Sequence, residues 1–151
     1  MKKILLIFPL LLIIGCGYTP LYSSKDSNYK VISFKKNINN NLTNYIQDSI
    51  SMLSNDSAEN VLKIDFNYSE DIIVILKDSK GDPKKNRLTI NVNLELFNAE
   101  DNIISSKRFV ENFEYSIDDN KFNLKQYEKN LKFSLIEQIS QQIIEFLTNV
   151  K

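Results

Sequence analysis

The fold is decided by the stretch LTINVNLEL, residues 88–96. Its apolar residues alternate strictly with polar ones, so every second side chain lies on the same face of an extended strand. A strand of this kind has one face against a core and the other in water, as in an antiparallel sheet covered on a single side. We therefore predict that residues 88–96 form a central strand of a sheet with one apolar face.

The flanking segments supply the remaining elements. Residues 62–76 alternate in the same way, interrupted at Glu70, and predict one long strand or two short strands around a bulge. Residues 103–115 return as a strand after a tight turn, and residues 29–34 predict a short first strand. Apolar residues at helical spacing predict a helix beginning near Leu42 and a long helix near the end of the chain, with Asn123 and Gln126 spaced for a capping box.

The order of elements is thus β-α-β-β-β-α. We predict an α+β two-layer sandwich: a four-stranded, largely antiparallel sheet with two helices packed on one face. The apolar positions of the strands and most aromatic residues are assigned to its core, including Ile72, Val74, Leu76, Tyr45, Phe66, Phe109, Phe113 and Tyr127. Phe122 and Phe133 fall off the apolar stripe of the second helix and are candidates for contact with a partner.

The composition excludes several classes of function. The 151 residues include no His, one Cys and three Gly, which removes histidine-based catalysis, Cys-rich metal sites and glycine-rich phosphate loops. Lys and Arg together number 19, as do Asp and Glu, so there is no basic excess for nucleic acid. Neighbouring acids occur at 70–71, 100–101 and 118–119, where we expect turns or strand breaks rather than a catalytic cleft. We expect a protein that is not an enzyme and holds neither metal nor cofactor.

The first residues have the pattern of a lipoprotein signal peptide. Two lysines precede an uncharged run from Ile4 to Ile14, which is too short to span a membrane as a permanent anchor. Gly15 and Cys16 end this run as a lipobox does, with a small residue before the cut and a thiol that accepts the lipid. We therefore predict a signal peptide over 1–15, a lipidated Cys16 with a tether over 16–28, and a single domain over 29–151.

The stretch GCGYTPLY, residues 15–22, resembles the start of the LPS-assembly lipoprotein family (LptE) in its alphaproteobacterial form. That family opens with G-C-G, an aromatic residue, one variable residue and P-L-Y. The resemblance implies a subunit that sits inside an outer-membrane β-barrel of the LptD type and helps to deliver lipopolysaccharide (LPS) to the cell surface. The residues placed for contact with that partner are Tyr18, Pro20, Leu21 and Tyr22, and the alternative for them is a passive extended tether.

Residues 77–87, which we call the hairpin tip, carry five basic residues and two acidic ones. Lys and Arg bind phosphates and carboxylates, both of which LPS carries, by charge-assisted hydrogen bonds. We therefore predict that this charged turn is an anion or LPS contact, formed by Lys80, Lys84, Lys85 and Arg87. The alternative is a solvated tip whose charges discourage aggregation of strands.

A second candidate surface is the polar face of the central strand. Thr89, Asn91, Asn93 and Glu95 point away from the apolar face, and we place Lys107 and Glu111 of the next strand beside them. Such a face is either ordinary hydrated surface or a wet contact with the polar lumen of a barrel.

Together these features predict a lipid-anchored subunit of the LPS translocon. It would lie in the outer membrane, facing the periplasm or within the barrel lumen, because residue 17 is Gly and not the Asp of an inner-membrane retention signal. The alternative is a lipid-binding lipoprotein, or an auxiliary of an ABC-type lipid transporter, that works without a barrel partner.

Overall fold

The computed structural model describes residues 28–150. Its elements are β1 (Tyr29–Lys36), α1 (Asn41–Ser51), β2 (Asn60–Lys77), β3 (Pro83–Phe97), β4 (Ile103–Ser116) and α2 (Lys121–Asn149). The predicted order and the α+β class are confirmed. Residues 60–77 form one long strand, and the interruption at Glu70 does not break it.

The strands form one sheet in the order β1-β2-β3-β4. Tight turns join β2 to β3 and β3 to β4, and both of these pairs are antiparallel. β1 pairs parallel with β2, because α1 carries the chain back so that both strands start from the same end of the sheet. The prediction of a largely antiparallel sheet is therefore confirmed.

Both helices pack on the same face of this sheet. The apolar residues of β3 between Leu88 and Leu96 are at most 1% exposed, and Ile46 and Ile50 of α1 are equally buried. α2 contributes a buried stripe of Leu135, Ile136, Ile139, Ile143 and Leu147. Each such side chain stabilises the fold by about 1.5–3 kcal/mol on burial, so this stripe is what holds α2 on the sheet.

Several residues assigned to the core are exposed instead. Ile72, Val74 and Leu76 are 39%, 44% and 55% exposed. Within residues 28–150, α2 packs mainly on β4 and β3 and α1 packs on β1 and α2, so this end of β2 stays open to solvent. Phe113 faces the helices beside Leu88, but it lies on an edge strand and is open to solvent from the side. Tyr45 and Tyr127 lie at the margins of their helices and are also exposed.

Asparagine side chains begin both helices. Asn40 caps α1 in a capping box with Thr43, whose backbone N–H donates to Asn40 Oδ1 at 2.9 Å. Asn120 caps α2 by accepting from the N–H groups of Phe122 and Asn123 at 3.0 and 3.2 Å. The predicted capping box of Asn123 with Gln126 is therefore wrong: the helix begins one turn earlier, because Asn120 satisfies its first free N–H groups.

The pairing between β1 and β2 ends halfway along β2. The last pair in the register joins Lys36 to Phe66, and the side chain of Asn37 then binds the backbone of Tyr68. Within residues 28–150, no strand pairs with this side of β2 from residue 69 onwards. We call residues 69–77 the free edge. Its pairing with β3 on the other side is irregular between Val74 and Lys77.

Candidate functional site

The turn within the hairpin tip is shorter than the sequence indicates. β2 continues to Lys77 and β3 begins at Pro83, so Lys84, Lys85 and Arg87 lie on a strand. The turn between them is held by Asp78, whose Oδ1 accepts from the backbone N–H groups of Lys80 at 2.9 Å and Asp82 at 3.0 Å. Gly81 has a φ of 90°, a backbone conformation that residues with a Cβ atom rarely adopt.

Two of the predicted anion-binding residues share one carboxylate. Lys85 Nζ lies 2.8 Å from Glu114 Oε2, and Arg87 Nη2 lies 2.6 Å from Glu114 Oε1. Glu114 stands opposite Arg87 in the register of β3 with β4, so antiparallel pairing of these strands creates the cluster. Hydrogen bonds from Lys85 and Arg87 lower the pKa of Glu114 to about 2. The cluster therefore offers an incoming anion much less positive charge than the sequence of the tip suggests.

The remaining cations of the tip differ in their pairing. Lys84 Nζ lies 3.5 Å from Asp78 Oδ2 and is half exposed. Hydrogen bonds from the Asp82 and Lys80 backbones, together with Lys84, lower the pKa of Asp78. Neither Lys77 nor Lys80 forms a side-chain ion pair with any residue in the range 28–150. Lys77 and Lys80 are therefore the cations of the tip most available to a ligand, and Lys84, with one ion pair at 3.5 Å and half of its side chain exposed, comes next.

A polar cluster that the sequence did not reveal lies where β2 meets α2. Lys132 Nζ lies 2.6 Å from Glu70 Oε1, and the Tyr68 hydroxyl donates to Glu70 Oε2. Partial burial alone would raise the pKa of Glu70, but the hydrogen bonds from Lys132 and Tyr68 outweigh it and lower the pKa. Burial and the adjacent carboxylate raise the pKa of Tyr68. The neighbouring acids Glu70 and Asp71 therefore lie within β2 and not at a strand break. Glu70 joins β2 to α2 through its ion pair with Lys132.

This cluster forms one wall of a shallow groove between the start of α1 and α2. The groove has a volume of about 420 Å³ and is lined by Asn40, Asn41, Leu42, Glu70, Lys129, Lys132 and Phe133. Phe133 is therefore part of the groove, whereas Phe122, at 77% exposure, projects from the first turn of α2. No group of three or more Cys, Asp or Glu side chains able to hold a metal occurs within 28–150.

The face of the sheet away from the helices, which we call the open face, is polar as predicted on β3. Arg108 Nη2 donates to Asn91 Oδ1 at 2.6 Å, and Lys63 Nζ lies 2.7 Å from Asp101 Oδ1. Thr89 and Glu95 are half-buried on this face, and Asn93 is exposed.

The placement of Lys107 and Glu111 on the open face is wrong. They stand opposite Leu94 and Ile90, so they lie on the helix side of β4. Lys107 Nζ sits 5.1 and 5.0 Å from the ring centroids of Phe109 and Phe146, and Glu111 accepts a hydrogen bond from Gln142 of α2. Both residues therefore attach α2 to the sheet.

The predicted residues of the leader and tether lie outside the described part of the chain. They are Gly15, Cys16, Tyr18, Pro20, Leu21 and Tyr22. Among residues 28–150, none of the helices has the length and apolar character needed to cross a membrane.

The fold is that of several solved bacterial lipoproteins. The rare lipoprotein B of Shewanella oneidensis is 12% identical with a TM-score of 0.59, over 80% of this chain and 98% of that one. A minor lipoprotein of Acinetobacter baumannii is 20% identical with a TM-score of 0.60, over 80% and 91% of the two chains. Lipoprotein B of Nitrosomonas europaea is 12% identical with a TM-score of 0.58, over 81% and 88%.

At these identities the likeness shows a shared fold. No protein-family model matches the chain, and no curated protein matches it by sequence. The shared fold covers 88% or more of each of these three solved chains.

Proposed function

We propose that this protein is an outer-membrane lipoprotein that acts as a structural subunit of the LPS translocon. Acyl chains on Cys16 would hold it in the membrane, and its domain would plug and support a β-barrel of the LptD type. One conjunction carries the proposal: a lipobox and the motif GCGYTPLY stand directly before a domain with the fold of solved lipoproteins. Two or three acyl chains on one Cys anchor a protein far more strongly than a single chain does.

The role would be structural and not catalytic. The chain contains no His, and Glu70 and Glu114, the carboxylates with lowered pKa values that join separate elements, are held in ion pairs. A carboxylate that acts as a general acid at neutral pH needs a raised pKa, which is the opposite of what these two groups have. Their geometry suits the joining of strands and helices.

The open face is the surface we assign to the barrel. Its exposed polar side chains suit the polar lumen of a large barrel, where a contact is wet and built from many hydrogen bonds. The hairpin tip, with Lys77, Lys80 and Lys84, would then be the place where LPS phosphates or carboxylates make contact.

The alternative is a lipid carrier or an auxiliary of an ABC-type lipid transporter. Such a protein would be favoured by an apolar cavity between the sheet and the helices. The side chains that meet there, such as Phe66, Ile90 and Ile139, are fully buried and fill that layer. The packing therefore favours the translocon subunit.

The test is a pull-down of the full chain, tagged at its C-terminus, from its native membranes in mild detergent, with mass spectrometry of the intact complexes. We expect a large outer-membrane barrel in a ratio of one to one. Recovery of the protein alone, or with an inner-membrane ATPase complex, contradicts the proposal and supports the lipid-carrier alternative.

Matched variants locate the surface and test the anchor. Asn93→Lys with Asn112→Lys adds two charges to the open face, and Gln138→Lys with Gln141→Lys adds the same charge to exposed positions of α2. We expect only the first pair to reduce recovery of the barrel. Cys16→Ala should abolish incorporation of labelled fatty acid into the protein, since no acyl chain can then be attached.

A further inference from the structure

The free edge of β2 presents an unprotected strand. Residues 69–77 read SEDIIVILK, and the five residues from Ile72 to Leu76 carry no charge. Ile72, Ile73, Val74 and Leu76 are each at least 39% exposed. An edge of unpaired N–H and C=O groups flanked by β-branched residues readily pairs with another strand.

The opposite edge of the sheet is protected in a way that this edge is not. β4 carries Lys107, Arg108, Glu111 and Glu114 along its length, and charges on an edge strand discourage pairing with another chain. Residues 72–76 have no such protection. Along this uncharged stretch, the protective feature that the structure shows is the irregular pairing with β3 between Val74 and Lys77.

The charges at the two ends of the free edge suggest what covers it. Its first half carries Glu70 and Asp71, and its last residue is Lys77. Glu70 is paired with Lys132, whereas Asp71 and Lys77 have no ion pair within residues 28–150. An antiparallel alignment of this segment with a second copy brings Lys77 of each chain to the acidic end of the other. The segment is thus complementary to itself in both charge and apolar character.

We propose that the free edge is a self-association surface, on which a second copy of this chain adds its own β2 in antiparallel orientation. The two sheets then join into one continuous sheet of eight strands. The contact has two-fold symmetry, in which the same patch is used by both chains and the assembly closes as a dimer. This goes beyond the proposed function, and its test does not depend on a barrel or on LPS.

The length of the free edge suits pairing with a second copy of the same segment. β1 ends beside Phe66, and the side chain of Asn37 binds the backbone of Tyr68. The free edge therefore provides nine residues of strand, 69–77, before the turn at 78–82. Pairing of these segments about their middle sets the turn of each chain near the end of β1 in the other. The contact leaves the open face and both helices uncovered.

Cysteine cross-linking of the full chain in membranes tests the proposal. Ile73→Cys lies in the middle of the free edge and Val110→Cys on the opposite edge, and the two positions are equally exposed, at 44% and 43%. Under mild oxidation we expect a cross-linked species with the mass of two chains for Ile73→Cys. The Val110→Cys variant and the parent chain, whose only Cys is Cys16, should remain single.

Charge exchange then tests the orientation. In a symmetric dimer paired about Ile73, Lys77 of each chain lies diagonal to Asp71 of the other. In the Ile73→Cys background, Asp71→Lys alone or Lys77→Glu alone sets like charges at both diagonal positions, and should lower the cross-linked fraction about tenfold. The double exchange, Asp71→Lys with Lys77→Glu, should return it to within about twofold of the starting value, since it restores both opposite-charge contacts.

Three outcomes would overturn the proposal. The first is an Ile73→Cys chain that stays single, and the second is one that cross-links only to a different protein, which would make the free edge a site for a foreign strand. The third is a cross-linked fraction that does not respond to either charge reversal. Loss of folding does not explain a negative result if circular dichroism of each variant matches that of the parent.

Discussion

Asn37 pairs through its side chain with the backbone of Tyr68. Asn37 Nδ2 donates to the Tyr68 carbonyl at 2.9 Å, and the Tyr68 N–H donates to Asn37 Oδ1 at 2.9 Å. The amide takes the place of the next residue of β1, so the strand ends without leaving these two groups of β2 unpaired. The Asn37 side chain therefore marks the point where β1 ends and the free edge of β2 begins.

Replacing this amide should destabilise the fold. Asn37→Ala removes two hydrogen bonds to a backbone that stays in place, and we expect a loss of about 1–2 kcal/mol in the free energy of unfolding. Urea denaturation followed by circular dichroism measures it. Asn39→Ala is the control, because Asn39 is exposed in the same loop. An equal loss in both variants would assign the effect to the loop and not to the pairing with Tyr68.

The Glu114 cluster should make stability depend on pH in acid. The pKa of Glu114 is about 2 in the folded protein against an ordinary value of 4.5. A carboxyl with a lowered pKa stabilises the fold fully above its unfolded pKa, and this contribution is lost as the pH falls through the folded pKa. The free energy of unfolding should therefore decline between about pH 4.5 and pH 2 more steeply in the parent than in Glu114→Gln.

The matched control for this prediction is Glu137→Gln. Glu137 lies exposed on α2, and this change also removes one carboxylate. Its pH profile should follow that of the parent chain. Superimposable profiles for Glu114→Gln and the parent would show that Lys85 and Arg87 do not hold the carboxylate in solution.

The contact between Glu70 and Lys132 should show energetic coupling. Glu70→Gln and Lys132→Met each break one ion pair between β2 and α2, and a double-mutant cycle should give about 1 kcal/mol for a partly exposed pair. Lys125→Met, two turns earlier on α2 and outside the groove that Glu70 lines, is the control and should show no coupling to Glu70→Gln. Additive losses for Glu70→Gln and Lys132→Met would contradict the contact.

The hairpin tip should contribute to LPS affinity through its available cations. Lys80→Gln with Lys84→Gln removes two charges from the tip and leaves the Glu114 cluster intact, and we expect a roughly tenfold weaker binding of LPS from the loss of two charge-assisted contacts. Lys125→Gln with Lys129→Gln removes the same charge from α2. Titration of the full chain with LPS in detergent compares the two pairs, and equal affinities would leave the tip as a solvated turn.

The alternation of apolar and polar residues predicted where the strands lie better than it predicted which side chains they contact. The alternation in 88–96 is strict because both faces of β3 are defined, one by the core and one by water. On β4 the pattern is mixed: Lys107, Phe109 and Glu111 share a face, since an edge strand lets polar side chains reach the helix or the solvent from the side. Residue type alone therefore could not assign Lys107 and Glu111 to the helix side.

The sequence by itself determined the order of elements, the α+β class and the apolar face of β3, because periodicity depends only on neighbours along the chain. It could not show that Lys85 and Arg87 share Glu114, since these residues meet only when β3 pairs with β4. Nor could it show that Ile72 and Val74 lie beyond the cover of the helices. Which side chains are neutralised and which apolar residues stay exposed depends on contacts between distant segments, and the tertiary structure alone decides these.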